Sequence, residues 1–107
     1  MSKKNISISV SVPVYFFKHN GDKYIYAECP SLRIITHANT LAKAKRRFDE
    51  AFKLWLEVAV EDGIRKDLKA LGWKVTPTEV TPRDEFRKIP LEILASTTVH
   101  IRIPPAA

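Results

Sequence analysis

The stretch KYIYAECPSLRIITHANTLAKAKRRF, residues 23–48, decides the fold. A strand-like run ends at Cys29-Pro30. A second apolar run, SLRIITH, follows and stops in a polar turn before Thr40. Thr40 is a good N-cap, because its hydroxyl can accept a hydrogen bond from a free amide of the first helical turn. From there Leu41, Ala44, Phe48, Ala51, Phe52, Trp55, Val58 and Ala59 recur at spacings of three and four. That period makes one apolar stripe and lays a long helix on a sheet.

Upstream, Ile8, Val10, Val12 and Val14 alternate with Ser7, Ser9, Ser11 and Pro13. Period two predicts a strand with one buried and one wet face. Run on to Phe17, it spans roughly 40 Å, too long for one short hairpin partner. Pro13 has no amide hydrogen, so the strand is expected to meet an edge or bend there and to change partners. Asn20-Gly21 is a strong hairpin signal, because both positions of a type I′ turn need positive φ. Residues 15–17 are therefore expected to pair antiparallel with residues 24–28.

Downstream, Leu54, Leu56 and Val60 widen the helical stripe, which predicts that the second half of the helix is covered on more than one side. Gly63 breaks the run. Ile64, Leu68 and Leu71 mark a short second helix with Gly72 as its C-terminal cap. Trp73-Lys74-Val75 reads as a short strand, and the proline-rich TPTEVTPRDEFRKIP as an ordered loop. PLEILA reads as one or two helical turns opened by a proline. In the closing TTVHIRIPPAA, Thr97, Val99, Ile101 and Ile103 share one parity. They predict a last strand that pairs with the otherwise unpaired first half of strand one.

The fold class is α+β: a small antiparallel or mixed sheet covered by one long helix, with a C-terminal strand. With 107 residues the chain is one domain. Its core lies in 5–75, an irregular loop in 76–95 and the strand in 96–104. The predicted core is Ile8, Val10, Val12, Val14, Ile25, Ala27, Leu32, Phe48, Phe52 and Trp55.

Hydrophobic residues make up 45% and charged residues 28%, as in ordinary globular proteins. No apolar run reaches the roughly 20 residues of a membrane span. The first residues lack a signal-peptide pattern, so a cytoplasmic protein is expected. The net charge of +6 allows a nucleic acid or an acidic partner.

Catalytic signals are absent from the pattern. His19, His37 and His100 share no helix face and no metal-ligand spacing with a carboxylate. The single cysteine, Cys29, ends a strand and reads as a core thiol. Glu50 and Glu57 lie opposite the apolar stripe. Gly21, Gly63 and Gly72 are accounted for as turn, break and cap. The sequence predicts no enzyme activity, metal or cofactor. The least ordinary local feature is Lys43, Lys45, Arg46 and Arg47 in the first turns of the helix, where the partial positive charge of the helix end disfavours cations. They form either a solvated face or a contact for a partner or nucleic acid.

The order strand, hairpin, YIYAECPSL, strand, polar turn, Asn-Thr and long helix resembles the HicB-like antitoxin family. The residues that carry the resemblance are Tyr24, Ala27, Cys29, Pro30, Leu32, Asn39, Thr40 and Ala44. IRKDLKALGW is similar to the family's Leu-Gly-Trp ending, and VHIRIPPA to its closing strand. The resemblance implies a truncated ribonuclease H-like fold and a HicA-type mRNA-cleaving toxin as partner. The chain departs from the family in three places. The proline-rich residues after Trp73 do not read as the helix-turn-helix that many members carry, so operator binding is not expected of them. His37-Ala38 stands where the family has a glycine turn, and the start of the helix is basic where the family's is acidic.

The leading expectation is a non-enzymatic interaction protein that binds such a toxin. It is expected to be a homodimer using Thr97, Val99, Ile101 and Ile103 as its strand. The alternative is a small basic nucleic-acid-binding module using the start of the long helix. A nuclease would need several carboxylates converging on metal ions, and the strands carry little beyond Glu28.

Overall fold

Alternation in the first strand is realised over its whole length. In the computed structural model, which describes residues 7–19, 21–83 and 91–105, strand β1 spans Ile8–His19. It is followed by β2 (Ile25–Cys29), β3 (Ile34–Ala38), helix α1 (Leu41–Asp62), helix α2 (Ile64–Ala70), β4 (Lys74–Val75), β5 (Val80–Thr81) and β6 (Leu91–Ile103). The fold is α+β. One sheet has the order β3-β2-β1-β6, with every neighbouring pair antiparallel. β4 and β5 form a separate two-stranded ribbon.

The Cys-Pro sequence ends β2 as its chemistry demands. Leu32 N–H bonds to Cys29 O at 3.2 Å and Arg33 N–H to Pro30 O at 3.3 Å. Arg33 takes a left-handed φ of 55°. These residues make a tight turn, and β3 starts only at Ile34. Between β1 and β2, Asp22 N–H bonds to His19 O across Gly21, whose φ is 81°; Asn20 lies outside the described residues. Tyr15 faces Glu28 and Lys18 faces Ile25, as the hairpin signal requires.

Thr40 caps α1. Its backbone is extended and its Oγ1 accepts from Lys43 N–H at 3.2 Å. Gly63, at φ 106°, closes α1 and opens α2. Ala44, Phe48 and Ala59 are the buried residues of α1, and the helix packs on β2 and β3. The core joins Val12, Val14, Phe16, Ala27, Cys29, Leu32, Phe48, Leu68, Trp73, Ile101 and Ile103. The Trp73 indole N–H donates to Ser31 O at 2.7 Å, both groups buried. This bond ties the end of α2 to the Cys-Pro turn 42 residues earlier.

Several expectations are corrected. Strand one does not change partners at Pro13. It pairs with β6 from Ile8 to His19, and β2 joins its other edge only from Tyr15. Pro13 thus sits where β1 has a strand on one side alone. Of PLEILA, Leu91 to Ala95 are strand β6 and not helical turns; Pro90 lies outside the described residues. The irregular loop is correspondingly shorter than 76–95, and Val80-Thr81 within it pairs with Lys74-Val75. β6 absorbs the extra length through a bulge opposite Phe16/Phe17. The second half of α1 is not covered on several sides, since Leu54 and Val60 are exposed. Of the predicted core, Val12, Val14, Ala27, Leu32 and Phe48 are buried, while Ile8, Val10, Ile25, Phe52 and Trp55 are half-buried at its margin. The pairing of strand one with the last strand is as expected.

Candidate interaction surfaces

The four cations at the start of α1 do not form one patch. Successive helical residues point 100° apart, so the run is spread around the axis. Arg47 Nη1 reaches back to His37 O at 3.4 Å. Lys45 leans the other way, its Nζ 5.9 Å from the centre of the Phe16 ring. Lys43 and Arg46, three apart, share the exposed face. Beneath Lys45 a groove of about 360 Å³ runs between α1 and β6, lined by Phe16, Phe48, Asp49 and residues 95–99.

The residues expected to form a dimer strand divide by depth. Ile101 and Ile103 are buried in the chain's own core, Val99 is half-buried and Thr97 is exposed. β6 is nevertheless an end strand of the sheet, so its far edge has no strand partner among the described residues.

The second half of α1 presents a different surface. Leu54, Val58 and Val60 are 63%, 61% and 68% exposed. They flank a ridge of exposed carboxylates, Glu50, Glu57 and Glu61; Asp62 lies on another side of the helix, 3.6 Å from Lys66 Nζ. A groove of about 500 Å³ lined by Lys53, Leu56, Glu57, Val60 and Glu61 opens beside them. The net positive charge of the chain is therefore unevenly distributed, and this part of α1 is acidic.

The third surface lies on the sheet face turned away from both helices. β1 alternates through Tyr15, Phe17 and His19 on that side, β2 contributes Tyr26, β3 contributes His37, and Tyr24, just before β2, packs against His37. His100 of β6 lies there too, its Nδ1 hydrogen-bonded to Ser11 Oγ at 2.6 Å. All three histidines and all three tyrosines of the chain thus share one face. Asp22 anchors one end, its carboxylate accepting from Tyr24 N–H at 3.0 Å and from Tyr26 O–H at 2.8 Å. Those two bonds, the backbone one foremost, hold the Asp22 carboxyl below the ordinary range, and the same carboxylate raises the Tyr26 hydroxyl. Sequence reading missed this face by treating the odd parity of β1 as merely wet. The signal was present, because serine gives way to rings at Tyr15, Phe17 and His19 on that parity.

Cys29 is fully buried, and burial pushes its thiol up to about 11. It stays protonated at neutral pH and lacks the electropositive opening that an attacking thiolate needs. Among the described residues no three His, Cys, Asp or Glu side chains converge on a point that would hold a metal ion, and no helix is long and apolar enough to cross a membrane. No protein-family model matches the chain, and neither a curated protein nor a solved structure matches it.

Proposed function

We propose that this chain is a non-enzymatic interaction protein of the HicB-like antitoxin type, which binds and neutralises a small HicA-type mRNA-cleaving toxin in the cytoplasm. On this reading the sheet and its one long helix are a truncated ribonuclease H-like fold, and no cofactor is needed. The observation that carries it is the outer second half of α1. Three large apolar side chains stand exposed there beside a run of carboxylates. Leu54 and Val58, four apart, form an exposed apolar strip along one side of the carboxylates, and apolar surface edged by charge is what protein interfaces bury. Its acidic rim complements a cationic RNA-cleaving partner, although the chain as a whole is basic. The end strand β6 supports a homodimer, because two-fold pairing of β6 with a second copy satisfies both open edges.

The test is affinity purification of the full chain from its native cells, with identification of bound proteins. A small basic ribonuclease should co-purify, and added chain should inhibit it. Leu54→Arg with Val58→Arg should abolish the complex without lowering the melting temperature. Recovery of a native complex that contains no ribonuclease would refute the reading.

A further inference from the structure

We infer that the open face of the sheet is a binding platform for single-stranded nucleic acid, independent of the toxin-binding reading. Four rings form a continuous path across three strands. The Tyr24 and His37 ring centres are 5.1 Å apart, His37 and Tyr26 5.8 Å, and Tyr26 and His19 5.1 Å. Tyr26 is held from two sides. Its hydroxyl is fixed on Asp22, and Phe17, its cross-strand partner, stacks beside it at 5.6 Å with an interplanar angle of 17°. The outer end of the path is accessible, with Tyr24 37% exposed and His37 exposed. Rings fixed on a flat sheet accept unpaired bases by stacking and tolerate any sequence, since every base has a π-face.

The charges around the path suit a phosphate backbone. Lys23 Nζ lies 5.4 Å from the Tyr24 ring centre, while Arg47, from α1 behind the sheet, reaches only the His37 carbonyl on the edge strand β3. The Asp22 carboxylate stays charged, and its bonds to Tyr24 and Tyr26 hold it at the end of the path, next to Lys23 in the chain. Glu28 also lies on this face, facing Tyr15 on β1, toward the opposite end of the hairpin from Lys23. A duplex fits poorly, because its bases are already stacked and both helices lie on the other side of the sheet. A protein interface fits less well than a nucleic acid. The exposed aliphatic groups on this face, Ile35 and Ile93, lie on different strands, β3 and β6, with β2 and β1 between them.

The experiment titrates the full chain against a fluorescein-labelled single-stranded oligoadenylate of about twelve nucleotides, within the site sizes usual for such surfaces. The same oligonucleotide is also tested as a duplex. The single strand should bind, the duplex much more weakly, and affinity should fall steeply with salt. Tyr24→Ala and His37→Ala should each weaken binding about tenfold, while Tyr24→Phe retains it. Lys43→Glu with Arg46→Glu, on α1, should leave the ring-dependent loss intact. Failure of the wild-type chain to bind the single strand at low salt overturns the inference. So does equal binding of the duplex, or indifference to both alanine changes. A protein that co-purifies through Tyr24 and His37, with no oligonucleotide affinity, overturns it in favour of a protein interface.

Discussion

Trp73→Phe tests how α2 is fastened to the sheet. The indole N–H donates to Ser31 O at 2.7 Å, and Trp73 and Ser31 are each only 3% exposed. Phenylalanine keeps an aromatic ring in place but removes the donor. The lost bond and the stranded buried carbonyl together cost about 1–3 kcal/mol. The smaller ring leaves a void that adds roughly 1 kcal/mol. A total near 3 kcal/mol is a large part of the stability of a domain of this size, about 5–15 kcal/mol. With an m-value of about 1.5 kcal/mol per molar urea, the midpoint should fall by about 2 M. Trp55 remains as the fluorescent probe of unfolding. A midpoint shift below about 0.3 M, with m unchanged, would refute the claim that this bond secures the Cys-Pro turn.

Phe48→Ala should cost about 3–5 kcal/mol, because Phe48 is 1% exposed. Trp55→Ala should cost less, since Trp55 is only half-buried; chemical denaturation of the two variants gives the order directly. The Cys29 thiol has its pKa raised from 9.0 to about 11, so the folded chain keeps a proton that the unfolded chain has released. Stability from this group is full below pH 9 and falls between pH 9 and 11 by about 2–3 kcal/mol; Cys29→Ala should flatten that alkaline slope in pH-dependent unfolding. Thr36 Oγ1 is buried with no hydrogen-bond partner among the described residues, so Thr36→Val should raise stability by about 1 kcal/mol, and a loss in thermal melting would contradict that reading. Deleting residues 91–107 should strip the long edge of β1 and cause aggregation; a soluble truncation with unchanged melting would disprove the role of β6.

The parts of the fold that were legible in the sequence are those set by local chemistry. Thr40, Gly63 and Gly72 mark helix ends through capping and positive φ. Cys29-Pro30 stops β2, and the alternation of Ile8 to Val14 gives the core face of β1. What the sequence hid depends on contacts between distant segments. Pro90-Leu91-Glu92 has the local look of a helix start, but pairing with β1 draws Leu91 into a strand. Trp73 gave no periodic signal of burial, because its place is set by Ser31. Val58 belongs to the apolar stripe and Leu54 widens it, yet both stand exposed, since the helix turns them off the face that buries Ala59. The surfaces were less legible than the fold. The basic run at 43–47 drew attention because it is contiguous in sequence, yet the helix scatters it. The rings at 17, 19, 24, 26 and 37 are scattered in sequence, yet the sheet gathers them.

The pairing of β1 with β6 has a consequence for how the chain must be made. Its partners run from Ile8 with Ile103 to His19 with Leu91, so the two strands are separated by most of the sequence. At synthesis rates of roughly 5–20 residues per second, β1 leaves the ribosome several seconds before its partner exists. The β2–β3 hairpin and α1 are local and form at once. For that interval the nascent chain carries a finished half-sheet with one long, apolar, unmatched border. Its yield in a cell therefore depends on what shields that border during translation, and slowing the ribosome within residues 30–90 should lower the soluble fraction without changing a single native contact.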